Sequence, residues 1–304
     1  MRRLRPRRSP SPDRSKPGAD RPPVSTAIPR HSRTRASFTR RVGRKQDVSP
    51  LLKAASPCIL ASGIFAPDGA GCTGDVDAVF LSELFGVADN NGYGLKVFAF
   101  LKLAGVPFVH EHIFDASAAP RGQLPYVVND GETIGDSETI VAHVIRKHGL
   151  AIDAALTPSQ RTTNHLVTRM LDDLYWVMSY SRWKDERYFP AFRDGFIAQH
   201  PQLDAAGLNK AREYNAQRYH FQGIGRYAPD QAYARGVADL RVLSDLIPAD
   251  GYLHGMTPTS IDAGIYGFIA NIHFLPISTP LKSFVSAHPN LVRHCEAIHA
   301  AVSR

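Results

Sequence analysis

The chain has 304 residues, 43% hydrophobic and 21% charged, with a formal net charge of +8. This length suits roughly two domains with a core that needs no disulfide or metal staple, and the charge content excludes a wholly disordered chain. No run approaches the roughly 20 apolar residues that span a bilayer, which excludes an integral helical membrane protein.

Residues 1–50 hold 15 of the 36 Lys/Arg and three of the 28 Asp/Glu, so the basic charge sits in this tail and the rest is mildly acidic. The tail is rich in Arg, Pro and Ser and lacks apolar periodicity. It cannot bury enough surface to offset its ordering entropy, and residues 1–76 are expected to be a disordered basic tail and linker. Four readings of it stay open: a solvated extension, an upstream stretch brought in by a misplaced start, a binder of anionic partners, or a targeting segment. Any nucleic-acid binding would concern this tail alone and be non-specific.

The body begins with strand-like residues 78–85, AVFLSELF, followed by a turn-rich loop over 86–94. Residues 95–105 carry apolar residues at helical spacing and end on Gly105. Strands are expected at 106–113, 121–128 and 132–134, the last two joined by the Asn129-Asp130-Gly131 turn. A helix follows over Ser137–His148, opened by Asp136 and closed by Gly149. Beyond Leu156 the pattern is helical throughout. A long helix over 158–184 carries an apolar stripe of Leu166, Met170, Leu171, Leu174, Val177 and Met178, and helices are expected near 205–222, 229–247, 260–274 and 288–302. A small βαβββα unit and an all-helical half make an α+β protein.

Several residues carry candidate chemistry. Asp136 and Ser137 sit at a helix mouth, where free amides and the dipole favour a carboxylate; the two also serve as ordinary caps. Pro125 opens a strand directly after Leu124. Thr259 and Asp262 form a capping box before an apolar helix, read as structural, so that Asp262→Ala should cost about 1 kcal/mol or more. His110 and His112 alternate along a strand, which reads as one side of a sheet, and no metal is expected. The cysteines, Cys58, Cys72 and Cys295, are scattered and form no CxxC pair. A reducing, cytoplasmic compartment is therefore expected.

The runs GQLPYVV and DGETIGDSETIVAHVIRKHG closely resemble the thioredoxin-like half of glutathione S-transferases. LTPSQRTTNHLVTRMLDDLYWVMSYSRW, HFQGIGRYAPDQAYARGVADLRVLSDLI and PTSIDAGIYGFIANIHF resemble the branch that includes metaxins and failed axon connections proteins. The resemblance covers about 78–303. It implies a thioredoxin-like domain over 77–150 and an all-α C-terminal domain over 157–304. It implies a cis Pro125 that turns the Leu124 backbone outward, with Gln123, Leu124, Pro125, Asp136 and Ser137 holding glutathione as co-substrate. It further implies either transfer of the thiolate to a small electrophile or, as in metaxins, a non-catalytic module that docks a protein partner, and a homodimer is common in the superfamily. Relatives open the first helix with a Ser-Pro-Phe-Cys-like run whose serine or cysteine faces the thiol. Here the matching stretch is Asn91-Gly92-Tyr93-Gly94. Asn91 and Tyr93 are the remaining candidates to stabilise a thiolate, with Ser82 and Asn90 as weaker ones.

Overall fold

In a computed structural model, residues 76–303 apart from Asp115 and Ala118 are described. The expected disordered segment lies outside them, save its last residue, Val76. Four strands, β1 (Val76–Phe80), β2 (Phe108–His112), β3 (Tyr126–Asn129) and β4 (Glu132–Gly135), form one sheet in the order β2-β1-β3-β4. β1 and β2 are parallel, bridged by helix α1 (Gly92–Leu103); β3 runs antiparallel to both β1 and β4. Helix α2 (Ser137–His148) completes the thioredoxin-like half. Asp136 caps α2, Gly149 closes it at φ 59°, and Arg146, Lys147 and His148 complement the dipole in its last turn.

Seven helices follow among the described residues: α3 (Pro158–Trp183), α4 (Phe189–Gln199), α5 (Ala205–Gln222), α6 (Pro229–Leu246), α7 (Ser260–His273), α8 (Pro280–Ser286) and α9 (Pro289–Val302). Thr157 and Gln160 cap α3 reciprocally, and Pro158 occupies its first turn. None of the described helices is long and apolar enough to cross a membrane. α7 is buried from Ile261 to Ile272 and forms the axis around which both halves pack.

The contact between α1 and α7 is close because two glycines permit it. A Cβ on Gly267 would lie 2.4 Å from the Gly92 carbonyl oxygen, so the helices meet backbone to backbone. One hydrophobic core accordingly runs through both halves, from Val76 and Leu101 to Ile269 and Ile298.

The structure differs from the sequence pattern in several places. β1 ends at Phe80, because the Leu81 N–H is taken by the Asp89 carboxylate and the chain leaves the sheet. α1 begins at Gly92, inside the expected loop, because Asn91 caps it. β3 starts only at Tyr126, since a 3-10 turn occupies Pro120–Gly122. In α3, Val167 rather than Leu166 joins the buried stripe, and Leu166 is 63% exposed. Helices α4 and α8 are additional.

Asp262 ties the α7 N-terminus together. Its Oδ2 accepts from the Thr259 N–H and hydroxyl, and its Oδ1 accepts from the Leu253 N–H and lies 3.0 Å from His294 Nε2. Burial alone would raise its pKa, but the bond and charge of His294 with the two backbone amides hold it below the usual carboxylate range. Asp262→Ala is expected to cost about 2 kcal/mol or more, since buried donors lose their acceptor. Urea denaturation checks this. The ionised carboxylate contributes fully above about pH 4, the unfolded value, and its contribution is lost as pH falls through the depressed folded value. The variant should lack that part of the acid destabilisation.

Candidate functional site

The sheet register brings the predicted residues to one edge. Val79, Tyr126 and Gly135 stand in a single row of the ladder. β1 therefore leaves the sheet toward α1 at the same end where Leu124-Pro125 enters β3 and where β4 runs into Asp136-Ser137. The Leu124–Pro125 bond is cis. Among the described residues, the Leu124 N–H and C=O make no hydrogen bond, so both are left for an extended backbone alongside. Gln123 follows the Pro120–Gly122 turn with an exposed side chain.

At the α2 mouth, Ser137 is 5% exposed and its hydroxyl bonds no other described residue. Asp136 sits at φ 78°, a region that L residues rarely adopt. Its Oδ1 accepts from the Thr139 N–H and hydroxyl, each at 3.0 Å, and its Oδ2 faces Arg121 at 3.6 Å. Asp136 is thus a cap first, and its second oxygen pairs with Arg121.

At the α1 mouth, the two candidate thiol partners separate. Asn91 Oδ1 accepts from the Tyr93 N–H at 3.0 Å, which leaves its side-chain Nδ2 without a described partner. Tyr93 donates its hydroxyl hydrogen to Asp172 Oδ1 of α3 at 3.1 Å, and its ring packs on Tyr175 and Phe268. Burial, then the Asp172 charge, push its phenol well above the ordinary value. Ser82 and Asn90 bond one another: Asn90 Nδ2 donates to the Ser82 carbonyl at 2.9 Å.

Sequence reasoning missed the residues that hold this mouth in place. Asp89 is completely buried; its oxygens accept from the N–H groups of Leu81 and Asn91. Burial raises its pKa well above normal, against the opposing pull of those amides and of Arg182. Arg182, on α3, donates to the Asn90 carbonyl at 2.6 Å and to the carbonyl and Oδ1 of Asn271 on α7. Asn271 Nδ2 in turn donates to the Asp89 carbonyl at 3.2 Å. The available signal was a charged residue in the apolar register of a long helix, where Arg182 follows Met178 by one turn. No group of three or more His, Cys, Asp or Glu suited to a metal occurs among the described residues.

Gly94 faces this cluster. A Cβ there would lie 1.8 Å from Asp89 Oδ2. The carboxylate fills the space that a side chain would otherwise take. Gly94→Ala is expected to lower stability by about 2 kcal/mol or more through overpacking and loss of the Asp89 bonds. Thermal and chemical denaturation would show it, and an unchanged melting temperature would contradict the geometry.

The glutathione S-transferase N-terminal domain family matches residues 93–188, and the glutathione S-transferase C-terminal domain family matches 236–298. An isoprene-epoxide–glutathione S-transferase of Rhodococcus sp. (strain AD45) is 30% identical over 70% of this chain and 93% of its own length. Failed axon connections of Drosophila melanogaster is 28% identical over 66% of this chain, which spans only 52% of that protein. A metaxin-1 homolog of Caenorhabditis briggsae is 26% identical over 59% of each chain. Among solved structures, a beta-etherase from Sphingobium sp. strain SYK-6 shares the fold at 15% identity, with a TM-score of 0.54 over 75% of this chain and 97% of its own. With the sheet order, the cis proline and the helical half in place, the chain belongs to the glutathione S-transferase family, on the branch of failed axon connections and the metaxins.

Proposed function

We propose that this protein binds glutathione and transfers its thiolate to a small electrophile. One observation carries the reading: a free Leu124 backbone pair, a free Ser137 hydroxyl and the α2 N-terminus meet at one end of the sheet. The Leu124 N–H and C=O pair with the extended tripeptide backbone as a strand would. The Ser137 hydroxyl and the first amides of α2 take the γ-glutamyl carboxylate, where the helix dipole favours negative charge. Asp136 Oδ2 takes the neighbouring ammonium, and Gln123 and Pro125 flank the peptide. Asn91 Nδ2 donates to the thiolate, which lowers the thiol pKa without itself ionising. Tyr93 acts through Asp172, holding the α1 mouth against α3. The relative that acts on isoprene epoxide supports a small epoxide as the first electrophile to try.

A second reading, a non-catalytic module that docks a protein partner, is favoured by one feature. The α1 mouth carries Asn91 and Gly94, with no thiol or unengaged hydroxyl. The metaxin and failed axon connections likeness fits it.

Calorimetric titration of reduced glutathione into the full chain separates these readings. Binding in the micromolar to millimolar range is expected, weakened roughly tenfold by Ser137→Ala through loss of a charge-assisted hydrogen bond. A glutathione-dependent rate with a small epoxide should accompany it and fall in Asn91→Ala. Heat without any rate would favour the second reading. Neither heat nor a shift in melting temperature would overturn glutathione binding altogether.

A further inference from the structure

Beyond that reading, the interior holds a lysine that the glutathione cleft does not use. Lys96 lies on α1, and its side chain is 8% exposed. Its stem runs along α7 beside Gly264, where the approach is close enough that a Cβ would touch it at 3.8 Å. Its amine forms an ion pair with Glu138 of α2. This pair lines a cavity of about 260 Å³ between α1, α2, α3 and α7 that also takes in Arg161, His165, Thr168 and Ser260.

The other charges around the cavity are mostly engaged. Asp153 accepts from the Ser260 N–H and hydroxyl, and Arg161 donates to the Asp153 carbonyl. The side chains of His165 and Thr168 make no hydrogen bond among the described residues. Arg161 and His165 are exposed, so the cavity opens to solvent along α3. A shielded amine in the lining of a cavity, with a carboxylate beside it and an open entry, has the parts for reversible carbonyl addition.

We propose that Lys96 is a nucleophilic lysine that forms an imine with small polar aldehydes and 2-oxo acids entering this cavity. Glu138 takes the ammonium proton, and the free amine attacks the carbonyl carbon to form the carbinolamine. Glu138 then returns the proton to the carbinolamine hydroxyl, which leaves as water. The product is the protonated imine, and water reverses the sequence. No oxidant or other reactant is required.

Burial lowers the Lys96 pKa to about 8, against the opposing charges of Asp172 on α3 and Asp136 before α2. The Glu138 carboxylate paired with the amine favours the charged form, so at neutral pH at most roughly a tenth of the amine is uncharged, against fewer than about one in a thousand for an ordinary lysine near 10.4. The lower intrinsic nucleophilicity of a weaker base takes back part of that advantage, and at least about tenfold is expected to remain.

The test treats the full-length protein with limiting glyoxylate and cyanoborohydride, which reduces the imine to a stable secondary amine. Peptide mass spectrometry then reads each lysine. Lys96 is expected to be labelled at least about tenfold faster than the exposed Lys102 and Lys210 at pH 7. Its rate should rise through about pH 8 and then level off. Glu138→Gln should slow it while leaving Lys102 and Lys210 unchanged, an outcome that loss of packing alone would not produce. Labelling of Lys96 no faster than of Lys102 and Lys210, or only after denaturation, overturns the proposal. Because the measurement uses no glutathione, its outcome is independent of the glutathione reading.

Discussion

A single buried guanidinium holds the α1 mouth of this molecule together. Arg182 sits near the end of α3, 5% exposed, and reaches both the loop before α1 and the end of α7. Burial lowers its pKa to about 10, so it stays charged at neutral pH. A buried charge is costly to desolvate, and such a group adds little net stability compared with an apolar one. What it supplies is direction. Its donors accept only one placement of the Asn90 and Asn271 carbonyls, and that placement fixes where α1 begins.

The same cluster explains an altered helix mouth. Asp89 occupies the volume that a side chain at position 94 would need, and it uses that position to bind the Leu81 and Asn91 amides. The loop is thereby braced by a carboxylate below it and by Arg182 beside it. A glycine at 94 is a steric requirement of this brace. Any thiol chemistry is then left to a side-chain amide at the helix cap, a weaker donor for charge than a hydroxyl poised to share its proton.

α1 serves two faces at once. Tyr93 and Lys96, one turn apart, both look toward Asp172 on α3, while the opposite side of the helix packs into the core shared with the sheet. Two glycines allow α7 to approach α1 at backbone distance, and the polar groups around Lys96 are therefore drawn from both halves. Neither half alone would enclose that cavity.

Local chemistry was the readable part. α2 was legible to the residue, because Asp136, the apolar spacing and Gly149 are all local signals, and α3 was legible within a residue for the same reason. α4 escaped notice because Pro190 and Gly195 interrupt its pattern, and α8 because it is only 7 residues long. The likeness of the GQLPYVV and DSETIV runs to their family identified Leu124, Pro125, Asp136 and Ser137 as one set, and the sheet register does bring them together. The sequence by itself determined most of the helices, the caps of α2 and α7 and the family, since these depend on residues within a few positions of one another. Only the tertiary structure decided that Tyr93 is spent on Asp172, that Asp89 fills the place of a side chain at Gly94, and that Lys96 lies beside Glu138 in a cavity. Each of those pairings joins residues on separate elements, and no periodicity along the chain encodes which distant carboxylate a side chain will meet.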